Sequence, residues 1–135
     1  MYVNNGNLTV LFDGTSTQTG QLTINAGTVR LGGSGDTFGS SSQAIRIGTG
    51  SVLDLNNVST TVGSVGEEGS GDGGTITLGS ATLTIGGSAS TLQGGISGTG
   101  GLTHSGSGSL GLYGSQSYTG TTTVSNSDFK LRFST

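Results

Sequence analysis

Cysteine, proline and tryptophan are all missing from this chain. Without cysteine there is no disulfide framework, no thiol nucleophile and no cysteinyl metal site. Without proline, and with little glutamate or lysine, the chain is neither a proline-rich linker nor a charged disordered tail. Charge is scarce too: four basic and seven acidic side chains give a formal net charge of −3 with no basic patch, which argues against nucleic acid. No apolar run approaches the ~18 residues of a membrane span, and no basic segment followed by an apolar block marks a secretion signal. Hydrophobic residues are 29% of the 135, which is thin for a globular core.

What fills the chain instead is glycine (29), threonine (22) and serine (21), together more than half of it. The glycines follow no G-X-Y period, so collagen is excluded. The apolar residues come in alternating sets: Leu8/Val10/Phe12, Leu22/Ile24, Val29/Leu31, Ile45/Ile47, Leu53/Leu55, Ile76/Leu78, Leu83/Ile85, Leu110/Leu112, Thr122/Val124 and Phe129/Leu131. Period-two sets bounded by Gly, Ser and Asn predict short, half-buried strands. Helical spacing is not sustained anywhere, and each interior glycine would cost a helix ~1 kcal/mol.

Sliding the sequence by 100 residues brings Val10–Phe12 onto Leu110–Leu112, Thr19-Gly20 onto Thr119-Gly120 and Val29-Arg30-Leu31 onto Phe129-Lys130-Leu131. A shorter echo, Ile76/Leu78 onto Leu83/Ile85, lies inside it. Short strands, frequent turns and repeats predict an all-β, parallel β-helix (β-solenoid) in one domain, residues 1–135, built as one superperiod and part of the next. At roughly 20 residues per coil the chain makes about six to seven coils, and at ~4.8 Å per coil a rod about 30 Å long. A narrow interior needs few hydrophobes. Glycine would supply positive-φ corners, with Asn25, Asp54, Asn56, Asn57 and Asn126 able to do the same. Proline would delete ladder bonds, so its absence fits.

Residues 94–131, GGISGTGGLTHSGSGSLGLYGSQSYTGTTTVSNSDFKL, resemble the autotransporter-associated β-strand repeat of bacterial type V passenger domains. The pattern is met by Gly98, Gly100, Gly101, Leu102, Gly106, Gly108, Leu110, Leu112, Gly114, Tyr118, Gly120, Thr122 and Val124. His104 departs from it where a lysine is common, and Asn126-Ser127-Asp128 replaces the usual small turn. The resemblance implies a right-handed parallel β-helix displayed outside the outer membrane, and no particular chemistry. It also implies a signal peptide and a C-terminal membrane barrel in a complete protein. Neither is visible, so the chain is expected to be either a piece of a passenger or a short free-standing relative.

Candidate chemistry is sparse. His104 in GGLTHSGSG is expected on the solvated surface, and no G-x-S-x-G elbow exists to place a serine nucleophile. A carbohydrate-active β-helix enzyme would need paired carboxylates or basic residues on one face, with aromatics for sugar stacking. Arg30, Arg46, Lys130 and Arg132 are scattered, although Tyr113 and Tyr118 could form a small aromatic patch. Glu67, Glu68 and Asp72 in VGEEGSGDGG are weak candidates for calcium, against the alternative of a solvated loop; no other cofactor is expected. The pairs Thr75/Thr77, Thr82/Thr84 and Thr121/Thr123, with Thr15/Thr17/Thr19, invite comparison with ice-binding solenoids, but their irregular spacing predicts no continuous array. The sequons Asn7-Leu-Thr9 and Asn57-Val-Ser59 are expected by chance in so Ser/Thr-rich a chain.

The sequence therefore reads as a non-catalytic, extracellular or cell-surface structural and adhesive module, a stalk or fibre. Its open ends favour end-to-end self-association, and its flanks allow host-surface or polysaccharide contacts. The alternatives are a carbohydrate-active enzyme and a calcium- or ice-binding solenoid.

Overall fold

The computed structural model describes residues 1–69, 71, 73–125 and 129–131, and among them every regular element is a strand. All ladder pairings are parallel. Register partners lie 19 residues apart at the closest (Leu83 to Leu102) and 24 at the widest (Val29 to Leu53). Parallel partners one coil apart, with no helical crossover, define a β-solenoid, and about six turns are stacked.

Three faces result. The first carries the start of β1 (Tyr2–Phe12), the start of β2 (Leu22–Leu31), β3 (Ala44–Gly48) and β6 (Ser64–Glu68). The second carries the ends of β1 and β2, then β4 (Val52–Asp54), β7 (Thr75–Thr77) and β10 (Ile96–Ser97). The third carries β5 (Thr60–Val62), β8 (Leu83–Ile85), β11 (Leu102–His104) and β13 (Thr122–Val124). The ladder of the first face lapses after β6 and resumes as β9 (Ser90–Leu92), β12 (Leu110–Leu112) and β14 (Phe129–Leu131). At the lapse Val65 N–H donates to the Ser90 hydroxyl at 3.0 Å, so a buried side chain stands in for a ladder carbonyl.

The interior is a set of files running along the axis. Leu22, Ile45 and Val65 form one, Val29, Leu53, Ile76 and Ile96 another, and Val62, Ile85 and His104 a third, all buried. Each interior residue is covered along the axis by its register partners, so 29% hydrophobic residues is enough for this core. The seven-residue echo marks two successive faces of one coil, Ile76 on the second and Leu83 on the third, around the positive-φ corner at Gly79.

Three expectations change. The 100-residue offset carries Val29, on the second face opposite Leu53, onto Phe129, on the first face opposite Leu110. It is therefore not a whole number of coils, and the repeating unit of the rod is the single coil. Leu8 does not share the inward phase of Phe12: the register slips between Asn4 and Thr9, and Leu8 is left 44% exposed. Of the polar corner residues, Asn56 and Asn57 adopt positive φ (50° and 65°), whereas Asn25 and Asp54 lie in β2 and β4; Asn126 is outside the described residues.

Glycine files line the corners. A Cβ on Gly94 would sit 1.7 Å from the Gly74 carbonyl oxygen, and one on Gly114 would sit 2.3 Å from that of Gly94. Gly63, Gly87 and Gly106 repeat this at another corner, with a Cβ at Gly106 falling 2.0 Å from the Gly87 oxygen. Here the side chain would point along the rod axis into the next coil, and only hydrogen fits.

Candidate functional site

Most of the charged and amide side chains are committed to the scaffold. Arg30 Nε lies 3.4 Å from Asp54 Oδ2, on the adjacent coil, and its Nη2 donates to Asn56 Oδ1 at 2.5 Å. Asn56 in turn donates to the Leu31 and Gly32 carbonyls of the preceding coil, which holds its left-handed corner in place. Asp36 is buried and accepts from Gly14 N–H and Gly33 N–H, joining the first two coils where the third face has no ladder.

Glu67 is spent in the same way. It faces Ile47 in the register of the first face, and Oε1 accepts from Gln93 N–H at 2.6 Å while Oε2 accepts from Gly74 N–H at 3.2 Å. One carboxylate thereby satisfies two amides at the lapse in the ladder. Glu68 is half-buried at the end of β6, and Asp72 lies outside the described residues. Among the described residues no three His, Cys, Asp or Glu side chains converge as a metal site would require. Replacing Glu67 by alanine orphans both amides and is expected to cost about 2 kcal/mol. The melting temperature of the E67A chain should fall, whereas that of the unaltered chain should be the same with calcium and with a chelator. A chelator-dependent melt would instead support Glu67, Glu68 and Asp72 as calcium ligands.

His104 is not on the surface. It is fully buried in β11, pointing into the rod between Ile85 and Val124. The glycine-rich context suggested a turn, but alternation from Leu102 places residue 104 on the inward side.

Outward threonines form a file that chain spacing concealed. Thr61, Thr84, Thr103 and Thr123 are successive register partners on the third face, so the expectation of no continuous array is overturned there. The coil, not the interval between pairs, sets that spacing. The file is one residue wide, since the position two residues earlier in each strand reads Ser59, Thr82, Gly101 and Thr121. A flat ice-binding surface needs two full ranks side by side.

The two tyrosines do not form one patch. Tyr118 packs against the core, and its hydroxyl bonds Thr122. Tyr113 folds back over Gly111 on the first face, where a Cβ would meet its Cε2 at 2.5 Å. Arg46 does the same to Gly66, two coils away along that face, its Nη1 2.5 Å from where a Cβ would be. Between them stands Thr91, outward on β9. Beside Arg46 lies an open cavity of about 320 Å³ lined by Arg46, Ser64, Gly66, Glu67, Thr91 and Gln93. Residues 46, 91 and 113 share no local motif, and only the coil period would have brought them to one face.

The geometry thus defines a parallel β-solenoid repeat protein whose side-chain chemistry is largely structural. Over 123 residues, 88% of its length, the chain is 36% identical to the adhesin BmaC autotransporter of Brucella suis biovar 1 (strain 1330). It spans only 4% of that protein's length. No family model matches the chain, and no solved structure matches it. The β-solenoid and the sequence likeness both fit the resemblance to an autotransporter passenger repeat.

Proposed function

We propose that this chain is a non-catalytic segment of an extracellular passenger, a stiff β-solenoid stalk at the bacterial cell surface whose flanks contribute to adhesion. The observation that carries this reading is the joint one: a continuous parallel rod and extended likeness to a protein named as an adhesin autotransporter. A rod of stacked coils suits display at a distance, because each coil contacts only its neighbours and length can be added without a new core. The committed roles of Asp36, Asp54 and Glu67 support a scaffold in preference to a carbohydrate-active enzyme.

The same reading includes end-to-end association. Among the described residues β1 is paired only with β2, leaving one edge of an eleven-residue strand open beside exposed Tyr2, Leu8 and Leu11. Such an edge can accept a further parallel coil, whether from the same polypeptide or from a second copy. Beads coated with the chain should adhere to host epithelial cells above the level of uncoated beads. Sedimentation of the 135-residue chain should show mass rising with concentration. Failure of adhesion removes the adhesive role, and a monomer at every concentration removes the stacking.

A further inference from the structure

We propose that the first face carries a binding strip for a carboxylate-bearing saccharide, running from the Arg46 guanidinium over Thr91 to the Tyr113 ring. The inference rests on the adhesive reading and names the ligand class that one face would take.

Three features converge. The first is charge. Among the described residues the one ion pair is Arg30 with Asp54, so Arg46 has no carboxylate partner. Its neighbour Glu67 turns both carboxylate oxygens to backbone amides and offers Arg46 only its main-chain oxygen, at 3.5 Å. An exposed guanidinium held over a glycine keeps its planar fork open to a carboxylate, which it can grip by two hydrogen bonds. Two separated cations, Arg46 at one end of the strip and exposed Lys130 opposite Gly111 at the other, on a chain of net charge −3, suit a sparsely charged sugar and not a dense polyanion.

The second is the lining. The adjacent cavity of about 320 Å³ presents the Ser64 and Thr91 hydroxyls and the Gln93 amide. It lies at the lapse between β6 and β9, where the face departs from a regular ladder. Hydroxyls and amides both donate and accept, which is what sugar hydroxyls require. Little of the lining is apolar: Val65, buried in the core, and the methyl of Ala89 offer no pocket for a hydrophobic peptide side chain, which favours a sugar over an acidic peptide.

The third is the aromatic ring. Thr91 is the register partner of Gly111, and Tyr113 covers Gly111. From Gly66 through Thr91 to Gly111 is about two coil spacings, ~10 Å, the span of a short oligosaccharide. A pyranose leaving the guanidinium would meet the tyrosine ring, whose apolar body and hydroxyl match the two characters of a sugar face.

The test is calorimetric titration of the 135-residue chain with sialyllactose and with trigalacturonate, using lactose as the neutral control and a tetraglutamate peptide as the acidic one. The carboxylated sugars should bind and lactose should bind at least tenfold more weakly. Arg46→Ala and Tyr113→Ala should each weaken the carboxylated sugars about tenfold, and Arg46→Lys should fall between because it keeps charge without the fork. Arg46 is exposed, and an unchanged melting curve would show that its variants fold. Equal binding of lactose, binding of the peptide alone, or no binding by any probe would each overturn the proposal. Adhesion separates the two readings: coated beads that adhere equally with Arg46 and with Arg46→Ala sink the saccharide strip and leave the adhesive role standing. Sugar binding without bead adhesion does the reverse.

Discussion

Gly94→Ala is expected to be the most damaging methyl that can be added to this molecule. The new Cβ would lie 1.7 Å from the Gly74 carbonyl oxygen, and the same approach places it near the Gly73 carbonyl carbon at 3.1 Å. Neither obstacle is a side chain that can rotate away. Both belong to the backbone of the preceding coil, which is fixed by the parallel ladder of β10 on β7. Relief requires the two coils to separate locally, which loosens ladder bonds and buried contacts together. The expected cost is about 3 kcal/mol or more, a fall of roughly 10 °C in melting temperature for a chain of this size. Gly20→Ala is the internal control, because nothing lies within 4 Å of a Cβ there and its φ is ordinary. Its melting temperature should stay within a degree or two of the unaltered chain, about 0.5 kcal/mol. Circular dichroism of the pair decides the matter, and similar melts for both would remove the argument that corner glycines are set by coil spacing.

Phe38→Ala should have the next largest effect, and a regional one. Phe38 is fully buried and meets the Phe12 ring edge-on, centroids 5.8 Å apart and planes at 72°. It stands on the third face of the second coil, where no ladder strand is present and the backbone is joined by isolated bonds such as Ser40 N–H to the Gln18 carbonyl. The ring therefore supplies much of what fastens the first coil to the second. Truncation should cost about 3–5 kcal/mol there. In a solenoid that loss is not shared evenly, because coils interact only with their neighbours. Hydrogen exchange should show lost protection in β1 and β2 while β8 and β11 keep theirs. A uniform loss across all coils would mean that the rod unfolds as one unit.

The legibility of the fold from sequence followed from period two. At Leu22/Ile24, Ile45/Ile47 and Leu83/Ile85 the alternation gave both the strand and its buried side, and the structure agrees at each. The reading went astray where a bulge or an unexpected strand reset the phase, as at Leu8 and His104. The candidate binding strip was not legible at all. Arg46, Thr91 and Tyr113 lie in separate coils, and the longer excursion between β6 and β9 shifts their relation by more than one regular coil would.

Taken alone, the shortage of hydrophobes, the missing proline and cysteine and the abundant glycine determined that this chain is an all-β rod with a thin core and no thiol chemistry. The alternating pairs determined which residues turn inward within each strand. Only the tertiary structure decided which residues are neighbours along the axis. Coil length is uneven, 24 residues from Val29 to Leu53, 23 on to Ile76 and 20 on to Ile96, so the 100-residue offset lands on a different face and sequence equivalence and face equivalence part company. The physical reason is that axial neighbours are set by ladder register, one hydrogen-bonded step of ~4.8 Å, and each loop insertion changes how much chain that step consumes. That is why a threonine file, a buried histidine and an unpaired arginine beside a tyrosine shelf became visible only once the coils were stacked.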